Sequence, residues 1–219
     1  REQAAAARIR PSSLRNIVSN QNNMSALEDS NNQNNIVETT ATFVTHLECS
    51  YTQKRYDCDV LHNLSDCGKP LLVKYDLAKV KQHFRKEDLS KREPSLWRYR
   101  ELLPVRHARN IVSLGEVMTP LLRCERLQGS LQCASLLIKD EGRLPTGSFK
   151  ARGLALAVSM AKELGVSRMA MPTNGNAGAA LAAYCSKATN MESFVFCPAD
   201  TPQTNIDEMA FLNANTFLV

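Results

Sequence analysis

The sequence predicts an α/β protein with a parallel sheet flanked by helices, preceded by a small cysteine-containing segment. Short apolar segments at residues 135–138, 169–171 and 194–196 alternate with longer helical patterns at residues 149–164 and 177–188. This alternation, with Gly or Pro near the joints, is typical of crossover connections between parallel strands. In such sheets, ligands bind at the carboxyl ends of strands, against the amino-terminal ends of helices. The loops after these strands are therefore where we expect chemistry.

The composition argues against several other classes of protein. With 43% hydrophobic and 22% charged residues, the chain has the makeup of a soluble globular protein. Its net charge of +5 is spread along the chain, which argues against nucleic acid as a partner. No run approaches the roughly 20 apolar residues that a membrane-spanning helix needs. Seven unevenly spaced cysteines argue against a secreted disulfide framework and favour a reducing compartment.

Residues 1–42 predict a disordered leader. They are rich in Asn, Ser, Gln and Ala, and such a segment cannot bury enough surface to offset the entropy lost on ordering. Residues 1–15 carry four arginines and a single acid, Glu2, which fits an organelle transit peptide. A plain disordered tail explains the same composition. We expect the protein in the cytoplasm or the plastid stroma.

Residues 43–76 predict a small knuckle of short β-like pieces that contains three cysteines. A structural zinc site usually takes its four ligands as two close pairs. Here Thr52 stands three residues after Cys49, and Leu64 stands three residues before Cys67, so neither half has the Cys-x-x-Cys pair. We therefore expect a degenerate zinc-ribbon-like knuckle without metal. Bound zinc remains the alternative, because five side chains offer ligands in principle: His46, Cys49, Cys58, His62 and Cys67.

Two further segments carry predictions. Residues 77–103 are highly charged and predict a helix with a break at Pro94 and Trp97, its lysines forming a solvated face. Residues 214–219 predict a turn followed by the opening of a buried strand, which needs a pairing partner. Because the chain also begins at Arg1 rather than Met, we expect it to be a fragment cut within its fold.

The first candidate loop, residues 139–150, is a polar, glycine-containing turn between a strand and a helix. It ends on Lys150, in the opening turn of the predicted helix, where the dipole favours anions by about 0.3 to 1 kcal/mol. A lysine desolvated against Phe149 and a positive helix end favours the neutral amine, which suits Schiff-base chemistry. The alternative is an ordinary surface lysine.

The second candidate loop, residues 172–180, follows an apolar strand and opens a helix of small residues. Its glycines allow close approach of the backbone to a ligand, and its Asn and Thr side chains are short hydrogen-bonding groups. It lacks the Gly-x-Gly-x-x-Gly and Gly-Lys-Ser/Thr patterns of dinucleotide and triphosphate sites. We interpret it as a ligand cradle; a structural turn with a helix cap is the alternative.

Four motifs occur in the order and spacing of one enzyme superfamily. They are Gly115-Glu116-x-x-Thr119-Pro120-Leu121, Lys139-Asp140-Glu141, Pro145-Thr146-Gly147-Ser148-Phe149-Lys150-Ala151-Arg152-Gly153 and Gly175-Asn176-Ala177-Gly178. Through them, residues 45–219 resemble the tryptophan-synthase-β-like, fold type II enzymes that depend on pyridoxal phosphate. Within that superfamily the chain is most similar to the threonine synthase family, partly through the cysteine-containing segment at residues 67–77.

The resemblance implies roles for residues of both loops. Lys150 would be the catalytic residue and would hold pyridoxal 5'-phosphate through its amine. Phe149 would lie against the pyridine ring, and Asn176 would hydrogen-bond the 3-hydroxyl oxygen. The substrate carboxylate would lie against Thr173, Asn174 and Gly175. The implied reaction converts O-phospho-L-homoserine and water into L-threonine and phosphate, in a protein expected to be a homodimer at full length.

The resemblance also leaves alternatives open. Val117, Met118 and Leu144 depart from the family pattern. The loop that binds the cofactor phosphate and the group that meets the pyridine nitrogen lie in the second half of this fold, so we expect residues 77–219 to be only the amino-terminal part of a catalytic domain and inactive alone. A threonine or serine dehydratase shares the Ala151-Arg152-Gly153 sequence. A non-catalytic or zinc-binding relic of half the fold is the third possibility.

Overall fold

The computed structural model describes residues 7–9 and 42–219. These residues form nine strands: β1 (Ala7–Ile9), β2 (Val44–Cys49), β3 (Arg55–Tyr56), β4 (Leu71–Tyr75), β5 (Leu121–Arg123), β6 (Leu137–Lys139), β7 (Arg168–Pro172), β8 (Glu192–Cys197) and β9 (Asn215–Leu218). They also form five α-helices: α1 (Leu77–His83), α2 (Glu125–Ser130), α3 (Lys150–Glu163), α4 (Asn176–Lys187) and α5 (Gln203–Phe211). Among these described helices, none is long and apolar enough to cross a membrane.

The main sheet contains three parallel strands in the order β7, β8, β9. Arg168 to Pro172 of β7 pair with β8, and Phe194 to Cys197 of β8 pair with β9. Helix α4 connects β7 to β8, and α5 connects β8 to β9. The predicted crossover units over residues 169–196, and the strand predicted near residue 215, are therefore confirmed.

Helix α4 lies at the centre of the core. All its residues from Gly178 to Cys185 are buried, and it packs against α3, α5 and β8. A helix covered on all sides must be apolar on all sides, and small residues let its neighbours approach closely. Its largest buried side chains are those of Leu181 and Tyr184. The Ala-rich sequence therefore determines the position of α4, and with it the loop that precedes the helix.

The edge of the main sheet is formed by a strand from the predicted leader. β1 pairs antiparallel with β9, placing Ala7 opposite Leu218 and Ile9 opposite Thr216. Residues 1–6 and 10–41 of that leader lie outside the described residues. The strand at residues 7–9 differs from the expectation of disorder, because the free edge of β9 offers backbone groups that any short extended segment can pair with.

A separate antiparallel sheet, with strand order β3, β2, β4, occupies residues 44–75. The N–H of Phe43 donates to the Glu101 carbonyl at 3.0 Å, and Arg106 Nε donates to Asp59 Oδ1 at 2.6 Å. These contacts join the sheet to the segment that leads into the main sheet. It lies where the small cysteine-containing segment was predicted; its relation to a zinc ribbon stays a prediction.

The predicted helix over residues 77–103 is wrong beyond its first turns. Helix α1 begins after Asp76, whose carboxylate accepts from the Lys79 N–H at 3.0 Å, and it ends at His83. None of its residues is buried, and a helix without a buried apolar face gains little from packing. Two short 3₁₀ turns follow at Lys86–Lys91 and Leu96–Leu102, on either side of Pro94.

The strand predicted at residues 135–138 is displaced and does not join the parallel sheet. β6 pairs antiparallel with β5 in a two-stranded ribbon, placing Leu121 opposite Lys139. Both strands are exposed along their whole length. An apolar run predicts an extended segment, but it does not specify the pairing partner, which depends on distant residues.

Candidate active site

Lys150 is the first residue of α3, as the sequence predicts. The chain enters the helix through a 3₁₀ turn, Pro145–Gly147, in which Thr146 and Gly147 both have a φ of 65°. This left-handed backbone suits glycine but is strained for a β-branched residue. Such strain persists only where the surrounding structure enforces it, and it concentrates at functional sites.

The amine of Lys150 is open to solvent. Its Nζ lies 5.1 Å from the centroid of the Phe149 ring, and Phe149 is 62% exposed. None of the ion pairs among the described residues involves Lys150. The expected ring neighbour is therefore present, but the expected desolvation is not, because no described element covers the amine.

Two hydroxyl groups just before Lys150 are buried without a partner. Neither Thr146 Oγ1 nor Ser148 Oγ has a hydrogen-bond partner within the described part of the chain. Ser148 is only 8% exposed. Buried polar groups in folded proteins are nearly always hydrogen-bonded, so these hydroxyls are expected to hydrogen-bond a ligand or water. The segment just before Lys150 therefore combines a strained backbone with two buried hydroxyl groups that lack a hydrogen-bond partner.

The loop after β7 presents amide groups at the start of α4. Thr173 turns its hydroxyl onto its own loop, accepting from the Gly175 N–H at 3.2 Å and donating to the Gly175 carbonyl at 3.3 Å. Asn174 and Asn176 are exposed, and α4 begins at Asn176 without a side-chain cap. The first N–H groups of an uncapped helix bind anions such as carboxylates. The loop therefore offers donors to an anionic ligand, whereas the Thr173 hydroxyl is already engaged.

Gly178 has a packing role rather than the ligand-facing role that the sequence suggested. A Cβ at this position would clash with Thr173 Cγ2 and would meet Met209 Sδ at 2.7 Å and Val195 Cγ1 at 2.9 Å. Only glycine lets α4 approach the strands and α5 this closely. Gly178 therefore determines how near the first turn of α4 lies to the sheet.

The structure brings the two candidate loops onto neighbouring elements. The Pro145–Gly147 turn packs against both α3 and α4, and these helices pack against each other. Helix α4 begins at the carboxyl end of β7, the position that the parallel sheet predicts for a ligand site. Lys150 and Asn176 thus open two helices that lie side by side.

A charged network joins the lysine helix to the two earlier motifs. Arg152 donates to Glu141 with both Nε, at 2.5 Å, and Nη2, at 2.9 Å. Thr119 Oγ1 donates to the same carboxylate at 2.5 Å, and Lys139 Nζ lies 3.9 Å from it. The Arg152 guanidinium, more than any other neighbour, lowers the pKa of Glu141 to about 2. The carboxylate therefore stays charged and holds the start of α3 in place.

A second, buried network joins the first motif to α4. Glu116 is fully buried, and its carboxylate accepts from Ser113 Oγ at 2.7 Å, from the Leu114 N–H at 2.8 Å and from Tyr184 Oη. Burial, together with this carboxylate, raises the pKa of the Tyr184 phenol well above its ordinary value. A buried carboxylate needs such donors to offset its desolvation. The Glu116 contacts therefore fix the Gly115–Leu121 motif against the core.

The sequence reasoning gave no role to the residues of these two networks. The only signal was that five of them lie inside the motifs that carry the resemblance: Glu116, Thr119, Lys139, Glu141 and Arg152. Tyr184 lies beyond the last motif altogether. These residues position the loops and contact no predicted ligand group themselves.

The departures from the family pattern have local explanations in part. Leu144 is 4% exposed and belongs to the main core, where an apolar side chain is favourable. Val117 and Met118 are 50% and 59% exposed. Arg98 Nη1 lies 2.8 Å from Met118 Sδ, and nothing in the structure explains Val117.

The side chains considered as zinc ligands do not assemble. Within the described residues, one group of at least three potential ligands has its ligand atoms within 4.8 Å of one another. It consists of Asp57, Cys58 and Asp59. Arg106 already binds part of this group, with Nη2 3.3 Å from Cys58 Sγ. Of the five candidates, Cys49 and Cys67 do meet, their Sγ atoms 3.6 Å apart.

The part of the chain that carries this geometry matches a known protein family. Residues 112–219 match the family model described as pyridoxal-phosphate dependent enzyme. This part of the chain is similar to that family, whose members use pyridoxal 5'-phosphate as their cofactor. All four motifs and both networks lie within the matched range.

The chain is similar to known threonine synthases. It is 43% identical to the threonine synthase of Methanocaldococcus jannaschii over 140 residues, which cover 64% of this chain and 35% of that protein. The identity to the threonine synthase of Methanosarcina acetivorans is 41% over 144 residues, covering 65% and 35%. The chain thus spans about a third of the length of these relatives. Among solved structures, diaminopropionate ammonia lyase from Escherichia coli matches 51% of this chain and 34% of its own, with 21% identity and a TM-score of 0.45.

The exposed groups of the site fit this cofactor. An aldehyde cofactor needs an unpaired amine, a ring face beside it and a donor for its ring oxygen. Lys150 supplies the amine, Phe149 supplies a ring next to it, and Asn176 supplies an exposed amide on the adjoining helix. The unsatisfied hydroxyls of Thr146 and Ser148 add polar groups that still lack a partner among the described residues.

Proposed function

We propose that these residues belong to a threonine synthase, which converts O-phospho-L-homoserine and water into L-threonine and phosphate. The observation that carries the proposal is the 43% identity to a threonine synthase over 140 residues, which cover 64% of this chain. The unpaired amine of Lys150 at the start of α3 supports it, because that is the group such chemistry requires.

Lys150 has two tasks in this proposal. When bound, pyridoxal phosphate supplies an electron sink that stabilises negative charge developing beside the substrate's amino group. Lys150 would hold the cofactor, and its amine would move protons at the substrate carbons. The Phe149 ring, 5.1 Å from Nζ, supplies an apolar face on one side. Arg152 and Glu141 act through the helix, holding its first turn in position.

The loop after β7 binds the substrate in this proposal. The Asn176 amide donates to the 3-hydroxyl oxygen of the cofactor. The substrate carboxylate accepts from the exposed Asn174 amide and from backbone N–H groups near Gly175 at the uncapped start of α4. Thr173 contributes through its hydrogen bonds to Gly175, which shape the loop.

A pair of product assays tests the reaction. The protein encoded by the longest reading frame that contains these residues is purified with pyridoxal phosphate. It is then given O-phosphohomoserine or threonine in separate reactions. We expect phosphate and threonine in equal amounts from O-phosphohomoserine, and little keto acid from threonine. The homodimer proposed for this full-length protein is measured on the same sample by light scattering.

Two variants complete the experiment. Lys150→Ala removes the amine and is expected to lower turnover by at least about 10³-fold. Lys187→Ala, at the far end of α4, is the matched control and should keep wild-type turnover. Keto acid from threonine without phosphate release from O-phosphohomoserine would instead identify a dehydratase. Turnover of neither substrate would contradict both enzymes and favour a non-catalytic relic.

A further inference from the structure

Two cysteines meet at the end of strand β2, away from the lysine site. Cys49 is the last residue of β2, and Cys67 lies in the turn that leads to β4. Their Sγ atoms are 3.6 Å apart, which is van der Waals contact between sulfurs. A disulfide bond measures about 2.05 Å, so a shift of roughly 1.6 Å closes it.

The two thiols differ in their access to solvent. Cys49 is fully buried, whereas Cys67 is exposed. Reagents in solution therefore reach Cys67 first, and Cys49 lies directly behind it. In this arrangement, Cys67 can react with a reagent from solution, and Cys49 can then react with Cys67.

Neighbouring donors stabilise the thiolate form of Cys49. The neutral Cys49 thiol donates to Ser65 Oγ at 3.2 Å, and its sulfur accepts from the N–H groups of Tyr51 and Thr52 at 3.5 and 3.4 Å. Once Cys49 is ionised, the Ser65 hydroxyl donates to the thiolate instead. These donors, with Ser65 contributing most, lower the pKa of Cys49 to about 6. The thiolate is the nucleophile in thiol–disulfide exchange, so Cys49 is poised to attack at neutral pH.

Two backbone hydrogen bonds hold the turn that carries Cys67. The Ser65 N–H donates to the Lys69 carbonyl at 2.9 Å, and the Gly68 N–H donates to the Ser65 carbonyl at 2.8 Å. Gly68 takes a φ of 72°, the left-handed conformation that closes this tight turn around Cys67. The contact between the sulfurs is therefore built into the fold.

The remaining cysteines lack this combination. Cys185 and Cys197 are buried in the main core, and burial raises the pKa of Cys185 to about 11 and also raises that of Cys197. Cys124 and Cys133 are only partly exposed. Apart from the Cys49–Cys67 contact, none of the thiol contacts described joins two cysteines.

We propose that Cys49 and Cys67 are a redox-active pair that a low-molecular-weight disulfide oxidises to an intramolecular disulfide. The Cys67 thiolate attacks one sulfur of oxidised glutathione and expels a glutathione thiolate, which leaves a mixed disulfide on Cys67. The Cys49 thiolate then attacks Cys67 Sγ, forms the Cys49–Cys67 bond and expels the second glutathione thiolate. The two cysteines together lose two protons and two electrons, and one glutathione disulfide becomes two glutathione molecules.

The experiment equilibrates the whole chain with mixtures of reduced and oxidised glutathione at pH 7. Free thiols are blocked by alkylation, and digested peptides are examined by mass spectrometry. We expect one linked pair of peptides, containing Cys49 and Cys67, that reverts on reduction. Absence of this linked pair in the most oxidising mixture, or linkage of Cys67 to another cysteine, would overturn the proposal.

Single variants test the order of the two steps. Cys49→Ser should accumulate a glutathione adduct on Cys67, because the second attack is lost. Cys67→Ser, a change at an exposed position, should give no adduct on Cys49, because that thiol is buried. Cys124→Ser is the matched control and should form the linked pair at the wild-type rate. Circular dichroism checks folding; should Cys49→Ser fail to fold, the wild-type chain and Cys67→Ser still decide the outcome.

The Ser65 hydroxyl gives an independent readout. In Ser65→Ala the Cys49 thiolate loses its nearest donor, so closure of the disulfide should slow at pH 7 and recover at higher pH. An unchanged pH profile would contradict the role assigned to the Cys49 thiolate.

Discussion

Arg152 and Glu141 form a bidentate ion pair that a lysine at position 152 cannot reproduce. The planar guanidinium donates to both carboxylate oxygens, at 2.5 and 2.9 Å, whereas an ammonium group makes one such contact. We expect Arg152→Lys to lower the free energy of unfolding by about 1 to 2 kcal/mol. Urea unfolding followed by circular dichroism measures the change.

Arg143 offers a matched control in the same loop. Its side chain is 72% exposed and pairs with Asp140 through one contact at 3.1 Å. An exposed pair of this kind contributes little, so Arg143→Lys should change the free energy of unfolding by less than about 0.5 kcal/mol. Equal effects of the two substitutions would contradict the special role of the Arg152 pair.

The depressed pKa of Glu141 predicts a dependence of stability on pH. Its folded pKa is about 2, below the ordinary value of 4.5, so the unfolded chain takes up the proton first as pH falls. The stabilisation is complete above about pH 4.5 and is lost as pH falls towards 2. Glu141→Gln should therefore destabilise the protein at pH 6, and its difference from wild type should shrink between pH 4.5 and 2.

Denaturant midpoints measured across this pH range test the sign. Glu125→Gln, at an exposed position in α2, is the control substitution. A difference between wild type and Glu141→Gln that stays constant with pH would show that the carboxylate charge is not what stabilises this contact.

At the scale of elements, α4 depends on a single glycine for its approach to the sheet. A Cβ at Gly178 would clash with Thr173 and would meet Met209 Sδ at 2.7 Å and Val195 Cγ1 at 2.9 Å. We expect Gly178→Ala to lower the free energy of unfolding by about 1 to 3 kcal/mol through overpacking. Thermal and urea unfolding measure the effect.

Gly153 provides the opposite case within a helix. It lies inside α3, and a Cβ there meets no atom within 4 Å. Because glycine is unfavourable in helix interiors, Gly153→Ala should stabilise the chain by up to about 1 kcal/mol. If Gly153→Ala destabilised the chain as Gly178→Ala does, helix propensity and the room available for a Cβ would not account for the effect at Gly153.

The elements differ in how well sequence predicts them. Helices α3 and α4 and strands β7 and β8 were predictable because their apolar residues follow a regular pattern between turn residues. The antiparallel pairing of β6 was not, because exposed strands carry no sign of their partner. β1 is three residues long and depends on the free edge of β9, more than 200 residues later.

At the scale of the whole molecule, the sequence predicted where the two candidate loops lie in the fold but not which contacts hold them in place. Lys150 and the loop at residues 173–176 lie at the starts of two adjacent helices, as expected for a parallel sheet. The hydrogen bond between Glu116 and Tyr184 joins positions 68 residues apart. Such contacts follow from packing in three dimensions, which no local pattern encodes. The open setting of Lys150 was missed for the same reason.

The central claim is that Lys150 holds the cofactor, and one measurement tests it most directly. The protein from the longest reading frame is incubated with pyridoxal phosphate and reduced with borohydride, and the modified lysine is located by mass spectrometry. The proposal predicts one stoichiometric label on Lys150 that disappears in Lys150→Ala and persists in Lys187→Ala. No label, or a label spread over the surface lysines and unchanged in Lys150→Ala, would contradict it.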